Sequence, residues 1–217
     1  TLRCVNRSFF VEDPLRLYRV MQFVGRFEMT PDTQLNQICA TMPVLHVSRE
    51  RVGEEFEKLM LKSKHPSRGI RWILRIDRLK DILPELNAVV GLQQDPRWHP
   101  EGVVFEHTMQ ALDAAAPLSY ENDDQKLIIM FAALCHDLGK VVTTDITPVR
   151  ISSTGHAQEG VPLARSLMNR ITLKKDMISS VCVLVQYHMH VINFITGQAK
   201  AGAYKRLAKK LAPNVTL

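Results

Sequence analysis

The sequence predicts an all-α protein. Apolar residues recur at three- and four-residue spacing nearly throughout the 217 residues, which is the period of an amphipathic helix. Sustained alternation of β-branched and polar residues, the pattern of a half-buried strand, is almost absent. A hydrophobic content of 46% is typical of a globular chain.

The first clear helix begins at Asp13-Pro14. The aspartate supplies a capping carboxylate, and the proline suits the first turn of a helix that runs to about residue 27. Further amphipathic helices are predicted at 32–40, 48–62 and 66–83.

A polar stretch with two prolines, from Gln93 to Pro100, predicts a domain boundary. The first domain is expected to cover 1–98 and the second 99–217. A loop over 141–155 has room for a short turn or strand. Helices of the second domain are predicted at 103–116, 124–138, 157–170, 175–189 and 201–212.

Composition indicates the cellular compartment and the binding partners of the protein. The longest apolar run, Leu127–Cys135, is about half of what a bilayer span requires, so no membrane association is expected. The four cysteines show no C-x-x-C spacing, which favours free thiols in a reducing cytoplasm. A net charge of +6 favours polyanionic partners, with nucleic acid as the first candidate.

Histidines are concentrated in the second half, where six of the eight lie between residues 99 and 190. His136-Asp137 follows the apolar run, and a carboxylate buried there must be paired, protonated or metal-bound. Side chains from different helix ends can converge at one end of a bundle, where imidazole suits Mn, Fe, Co, Ni or Zn, and carboxylate with water suits Mg. The predicted ligands are His107, His136, Asp137, His156 and His188.

Two further points bear on this set of predicted ligands. A single buried histidine is usually an ordinary core residue with its hydrogen bonds satisfied. His190 lies two residues beyond His188 and therefore points about 200° away on a helix, so only one of them can be a ligand.

These residues resemble the signature of the HD phosphohydrolase superfamily: His107, His136-Asp137 followed by Leu138-Gly139-Lys140, and His156. With His188 they are similar to members that hold two metals. The resemblance implies metal-activated attack of water on phosphate mono- or diesters, with Asp137 and Lys140 as catalytic residues. The superfamily's last ligand is an Asp on a later helix, but no Asp follows Asp176, and Asp145 is a weak substitute. We expect the site to be one ligand short.

The first helix carries a basic stripe of Arg16, Arg19, Phe23 and Arg26. Asp13 and Arg16 together offer a carboxylate and a guanidinium, which can read the base edge of C or A. The ordinary alternative is a helix start with a weak local ion pair.

Glu12, Asp13 and Arg16 match the E-D-x-x-R motif of class II tRNA nucleotidyltransferases, the CCA-adding and poly(A) polymerase family, which this chain resembles over nearly its whole length. The similarity continues through Ser48–Arg51, Ile82–Leu86 and His99–Gly102. It implies that Asp13 and Arg16 select the incoming CTP or ATP, with Arg19 as a helper. The family's head domain has no counterpart here, so the chain is expected to follow the head and to be unable to transfer nucleotides alone.

A basic ridge is predicted on the helix over 66–83, where Arg68, Arg71, Arg75 and Arg78 repeat at three and four residues. It is either an RNA-binding surface or a solvated face. Lys205, Arg206, Lys209 and Lys210 are placed to extend it.

The sequence therefore predicts neck and body helices followed by an HD bundle. By resemblance it implies a metal-dependent phosphatase or 2′,3′-cyclic phosphodiesterase within a tRNA nucleotidyltransferase-like protein. Expected cofactors are Mn, Ni, Co, Fe or Mg, and expected partners are tRNA or other RNA, nucleotides and phosphate esters. The main alternative is a non-catalytic RNA-binding module on a relic HD scaffold.

Overall fold

A computed structural model describes residues 1–44 and 47–215 and confirms the all-α prediction. Its only strands in that part of the chain are β1 (Asp145–Ile146) and β2 (Ile151–Ser152), which pair antiparallel within the loop predicted over 141–155. The helices are α1 (Arg7–Val11), α2 (Leu15–Arg26), α3 (Thr33–Thr41), α4 (Arg49–Lys62), α5 (Ser67–Arg75), α6 (Leu79–Ile82), α7 (Pro84–Asn87), α8 (Val104–Ala115), α9 (Asp123–Cys135), α10 (Lys140–Thr143), α11 (His156–Ile171), α12 (Lys175–Thr196) and α13 (Ala201–Leu211).

Side-chain oxygens hold the starts of the first long helices. The carboxylate of Asp13 accepts a hydrogen bond from the backbone N–H of Leu15 at 3.2 Å, although Pro14 is the residue that flanks α2. Asp32 accepts from the N–H of Leu35 at 2.8 Å and caps α3. Such bonds satisfy backbone donors that have no partner within the helix.

The prediction of one continuous helix over 66–83 was wrong. α5 ends at Arg75, and Asp77 has a left-handed φ of 59°. The N–H groups of Asp77 and Arg78 turn back to the carbonyls of Leu74 and Ile73, at 3.0 and 2.8 Å. This is the termination usually made with glycine, and aspartate tolerates it. α6 and α7 follow as separate short turns.

α12 is longer than predicted and continues to Thr196 rather than 189. By length and composition it would suffice to cross a membrane, a test that core helices of other proteins also pass. Met177, Val181 and Val185 on its first half are buried. This half therefore packs into the protein interior.

Most of the buried apolar residues form one cluster that includes both predicted domains. α2 packs on α4 and α5, while α8, α11 and α12 pack around α9. α4 also contacts α9 and α11, so the N-terminal helices rest directly on the helices that carry the histidines. The boundary near 98–99 stays a prediction.

Candidate metal centre

The centre is built on the turn that follows α9. Leu134 and Cys135 are fully buried at the end of this helix, and the next residues form a tight turn in which the N–H of Lys140 donates to the carbonyl of Asp137 at 3.0 Å. Asp137 is thereby carried into the interior and is only 2% exposed.

Gly139 in this turn allows a close approach between two backbones. A Cβ on Gly139 would overlap the carbonyl oxygen of His156 and the backbone of Gly160. Because glycine lacks that atom, the start of α11 lies directly against the turn. His156, the first residue of α11, is thus brought beside Asp137.

The structure brings all five predicted ligands together. The Nε2 atoms of His136 and His107 lie 3.2 and 3.7 Å from Oδ2 of Asp137. The Nε2 atoms of His156 and His188 lie 3.3 and 3.9 Å from its Oδ1. One buried carboxylate is therefore surrounded by four imidazoles, which come from α8, the turn after α9, α11 and α12.

Three of these rings are oriented by backbone carbonyls. Nδ1 of His136 donates to Ala133 at 2.8 Å, Nδ1 of His156 to Ser153 at 2.7 Å, and Nδ1 of His188 to Val185 at 2.7 Å. A carbonyl oxygen only accepts, so Nδ1 carries the proton in each ring. In a neutral ring, the lone pair of Nε2 then faces the centre.

Charge in the centre is concentrated on Asp137 and its neighbours. Burial alone would raise the pKa of Asp137, but His136 and the ammonium of Lys140 hold that pKa well below its usual value. Burial opposes protonation of His136, yet the adjacent carboxylate and the Ala133 carbonyl raise its pKa. The carboxylate is therefore ionised at neutral pH.

The other three imidazoles have lowered pKa values. Burial is the main cause for His107 and His156. For His188, burial lowers the pKa to about 4, and nearby His136 adds to the effect. Neutral imidazole is the form that binds a metal.

This donor set fits a divalent cation. Nε2 of His156 and Nε2 of His188 are 3.1 Å apart, although both rings have their proton on the other nitrogen. Two lone pairs at that distance repel each other unless a proton or a cation lies between them. Imidazole nitrogens around one carboxylate suit Mn, Fe, Co, Ni or Zn. The identity of the metal and the role of each residue as a ligand stay predictions.

The sequence analysis missed Glu101 and His99. Oε1 of Glu101 lies 2.7 Å from Nδ1 of His107 and 2.9 Å from Nδ1 of His99. The segment His99–Gly102 was part of the family resemblance, but nothing in its residue types showed that it folds against His107. Within the described residues, Glu101 and Asp137 are the two carboxylates that belong to possible metal-binding groups, and each of them shares a group with His107.

The remaining predicted site residues lie as follows. His190 packs its ring against Tyr187 and Phe194, in accord with the choice of His188. Asp145 is exposed in β1 and belongs to none of the possible metal-binding groups in 1–44 and 47–215. It does not replace the expected last aspartate.

A cavity of about 500 Å³ opens beside the centre. Its lining includes the clustered histidines, Asp137 and Lys140, together with Trp98, Ile151 and Ile192. The five predicted ligands are therefore accessible to a small molecule from this cavity.

The residues predicted to select the nucleotide, Asp13, Arg16 and Arg19, lie at the start of α2. Each of them contacts another group of the protein. Asp13 forms an ion pair with Arg51 at 2.8 Å. The Arg16 guanidinium donates to the carbonyl of Phe9 and lies 3.9 Å from the centre of the Phe9 ring. Arg19 lies 3.6 Å from Glu55. Their role in nucleotide selection stays a prediction.

The predicted basic ridge loses one member in the structure. Arg68 and Arg71 pair with Glu28 and Glu106, at 2.8 and 2.6 Å, and Arg75 is exposed on the same helix. The inclusion of Arg78 was wrong, because it follows the break at Asp77. Its guanidinium donates to the carbonyl of Met42 at 2.6 Å and pairs with Asp81 at 2.9 Å.

Two family models match the chain. One, described as an HD domain, covers residues 104–211, which contain all five predicted ligands. The other, described as a probable RNA and SrmB-binding site of polymerase A, covers residues 26–89.

The chain is also similar to curated proteins named multifunctional CCA protein. The relative from Mannheimia succiniciproducens is 35% identical over 88% of this chain and 46% of its own length. The relative from Pasteurella multocida is 33% identical with the same coverage. This chain therefore spans about half the length of these relatives.

Solved structures agree at the level of the fold. A CCA-adding enzyme in complex with CTP matches with a TM-score of 0.54 and 16% identity, over 95% of this chain and 43% of the other. An apo form of a CCA-adding enzyme matches with a TM-score of 0.55 and 14% identity, over 99% of this chain and 46% of the other. The chain is therefore a homologue of the multifunctional CCA proteins, with an HD domain over residues 104–211 and a region similar to the RNA-binding site of polymerase A over residues 26–89.

Proposed function

We propose that the C-terminal part of this protein is a metal-dependent phosphohydrolase that acts on phosphate monoesters or 2′,3′-cyclic phosphodiesters. The observation that carries the proposal is the convergence of four imidazole Nε2 atoms, within 3.2–3.9 Å, on the buried carboxylate of Asp137. Three of these rings, His107, His156 and His188, have lowered pKa values and so offer uncharged nitrogens to a cation, which a purely structural ion pair with Asp137 does not require.

His107, His136, Asp137, His156 and His188 would hold the metal. The chemistry that a divalent cation held by these residues would supply is polarisation of a phosphoryl group and activation of water. Lys140, 2.8 Å from Oδ2 of Asp137, adds a positive charge on the cavity wall. It balances the carboxylate and attracts the phosphate of a bound ester.

In the whole protein, we propose that Asp13 and Arg16 help to select CTP or ATP and that Arg19 assists them. Arg51 and the Phe9 carbonyl hold these side chains near the start of α2, so nucleotide binding would exchange these contacts for contacts with a base. The exposed basic side chains of α2, α5 and α13 would meet tRNA or another RNA. Nucleotide transfer itself needs the paired carboxylates of a head domain. A cytoplasmic location suits the free cysteines.

Hydrolysis assays on metal-free protein test the proposal. A generic phosphomonoester and a 2′,3′-cyclic nucleotide are supplied with Mn, Ni, Co or Mg in turn. The wild type should hydrolyse at least one substrate with at least one metal. Asp137→Asn should lower the rate at least 100-fold, and Asp145→Asn, which changes an exposed carboxylate close in sequence, should leave it unchanged.

The alternative is a non-catalytic RNA-binding module, which the family match over 26–89 favours. It predicts salt-sensitive tRNA binding, no bound metal, and no effect of Asp137→Asn on metal uptake. Absence of hydrolysis with every metal, together with these properties, would replace the hydrolase proposal with this one.

A further inference from the structure

His107 differs from the other three imidazoles in the group that orients it. Backbone carbonyls accept from Nδ1 of His136, His156 and His188. Nδ1 of His107 instead meets the side-chain carboxylate of Glu101 at 2.7 Å. It is also the most exposed of the four side chains, at 31% against 12–19% for the others.

Glu101 is held in place by a tight turn. The N–H of Gly102 donates to the carbonyl of His99 at 3.0 Å, and Gly102 has a φ of 95°. A residue with a side chain adopts that conformation only with strain. The turn lies just before α8, so it brings the carboxylate of Glu101 against His107 on the first turn of that helix.

His99 forms the outer part of the same arrangement. Its Nδ1 lies 2.9 Å from the Oε1 atom that contacts His107, and the two rings are nearly perpendicular with their centres 4.7 Å apart. Glu101 is largely buried, with 12% of its side chain exposed. The three side chains thus form a continuous hydrogen-bonded line from the surface to the ring that faces Asp137.

We infer that Glu101 is a positioning residue of the metal centre, which keeps the proton of His107 on Nδ1 and directs its Nε2 at Asp137, while His99 holds Glu101 in place. The inference rests on the proposed function. A carboxylate behind a ligating imidazole fixes the ring and makes its free nitrogen a stronger donor. This orienting contact is most important for His107, because its ring is the least buried of the four.

Two substitutions separate the charge of Glu101 from its hydrogen bond. Glu101→Gln keeps an acceptor oxygen for His107 but removes the negative charge. Glu101→Ala removes both. Glu106→Gln is the matched control, because Glu106 is a nearby carboxylate on α8 that pairs with Arg71 rather than with a histidine.

The first measurement is made without metal. Nitrogen-15 NMR of the imidazoles reports which ring nitrogen of His107 carries the proton. The proton should be on Nδ1 in the wild type, Glu101→Gln and Glu106→Gln, and should move at least partly to Nε2 in Glu101→Ala. An unchanged His107 in folded Glu101→Ala overturns the inference, whether or not the protein hydrolyses anything.

The second measurement is Mn²⁺ affinity, by titration of metal-free protein. Removal of a group that orients a metal ligand typically weakens binding about 10- to 100-fold, so Glu101→Ala should fall in that range. Glu101→Gln should show a smaller loss, and Glu106→Gln none. Complete loss of one of two bound ions, with unchanged affinity for the other, would instead make Glu101 a ligand and would overturn the positioning role.

The two proposals fail in distinguishable ways. If the wild type binds no Mn²⁺ and has no hydrolase activity, the proposed function fails, and the NMR result still decides whether Glu101 controls His107. If the wild type binds Mn²⁺ and folded Glu101→Ala binds it equally well, only the role of Glu101 fails.

Discussion

The ammonium nitrogen of Lys140 lies 2.8 Å from Oδ2 of Asp137, and both side chains are more than 90% buried. The ammonium also donates to Oε1 of Gln94 at 2.5 Å. Lys140 thus has a structural partner in the same carboxylate that faces the four imidazoles. A lysine in this place both stabilises the buried charge and adds positive potential to the cavity.

Lys140→Met should therefore destabilise the metal-free protein. The substitution keeps the length of the side chain but leaves the carboxylate without its ammonium, and removal of one member of a buried ion pair costs about 3–5 kcal/mol. Urea unfolding at pH 7 measures the loss. The double variant Asp137→Asn/Lys140→Met is the control, since both charges are gone and its loss should be smaller than the sum of the single losses. Additive losses would contradict the pairing.

Acid should destabilise the metal-free protein through His188. Its pKa is lowered from 6.5 to about 4 in the folded state, so between these values the unfolded chain takes up a proton that the folded chain does not. Stability is therefore fully present above pH 6.5 and is lost as the pH falls towards 4, by on the order of 3 kcal/mol.

Thermal and urea unfolding of His188→Asn across pH 4–7 checks this expectation. The variant should have a flatter stability profile than the wild type, because it lacks the titrating ring. His190→Asn is the matched control, since its ring packs against Tyr187 and Phe194 on the same helix. A wild-type profile in His188→Asn would count against the prediction.

Gly139→Ala should disrupt the turn that carries His136 and Asp137. The added methyl group overlaps the His156 carbonyl and the backbone of Gly160, and backbone atoms cannot move aside as a flexible side chain can. Overpacking of this kind costs about 3 kcal/mol, and His156 should be displaced from the centre.

Gly202→Ala is the control for Gly139→Ala. A Cβ at Gly202 in α13 meets only the end of the Arg206 side chain, at 3.4 Å, and alanine favours a helix over glycine by about 1 kcal/mol. In chemical unfolding, Gly202→Ala should therefore be at least as stable as the wild type, and Gly139→Ala should be less stable. Equal stability of the two variants would argue against the tight contact.

Arg75 and Arg78 should have different effects on RNA binding. Arg75 is exposed on α5, so Arg75→Ala should weaken tRNA binding and reduce the dependence of log K on log salt by about one unit. Arg78→Ala should instead destabilise the fold, because the side chain bonds to Met42 and Asp81. Filter binding at several salt concentrations, with urea unfolding, separates the two effects. Equal loss of RNA affinity in both folded variants would restore Arg78 to the ridge.

Local patterns predicted most of the helices. Periodic apolar residues placed α3, which was expected over 32–40 and covers Thr33–Thr41. The break at Asp77 was missed because this helix ends with an aspartate in the left-handed conformation, and no Gly or Pro marks it. The extension of α12 to Thr196 was missed although the sequence allows it, since residues 191–196 are mostly apolar and contain no Gly or Pro before Gly197, where the helix ends.

For the site, the sequence predicted the five candidate ligands but not the side chains that contact and orient the site residues. Five residues were identifiable because their types are common metal ligands and because they resemble a family signature: His107, His136, Asp137, His156 and His188. The partner of Asp13 was not identifiable, because Arg51 lies 38 residues away in sequence. Glu101 is only six residues from His107 but was missed as well, because their contact depends on how the segment before α8 folds back.

The convergence on Asp137 has a consequence for how the molecule assembles. Its four imidazoles enter from segments spread over 82 positions, from 107 to 188, so no isolated helix or hairpin can reproduce the arrangement. Cation binding would then report whether α8, α9, α11 and α12, which are distant in sequence, have packed together. Mn²⁺ titrated during refolding should remain free while the helices form and be captured only once their ends meet.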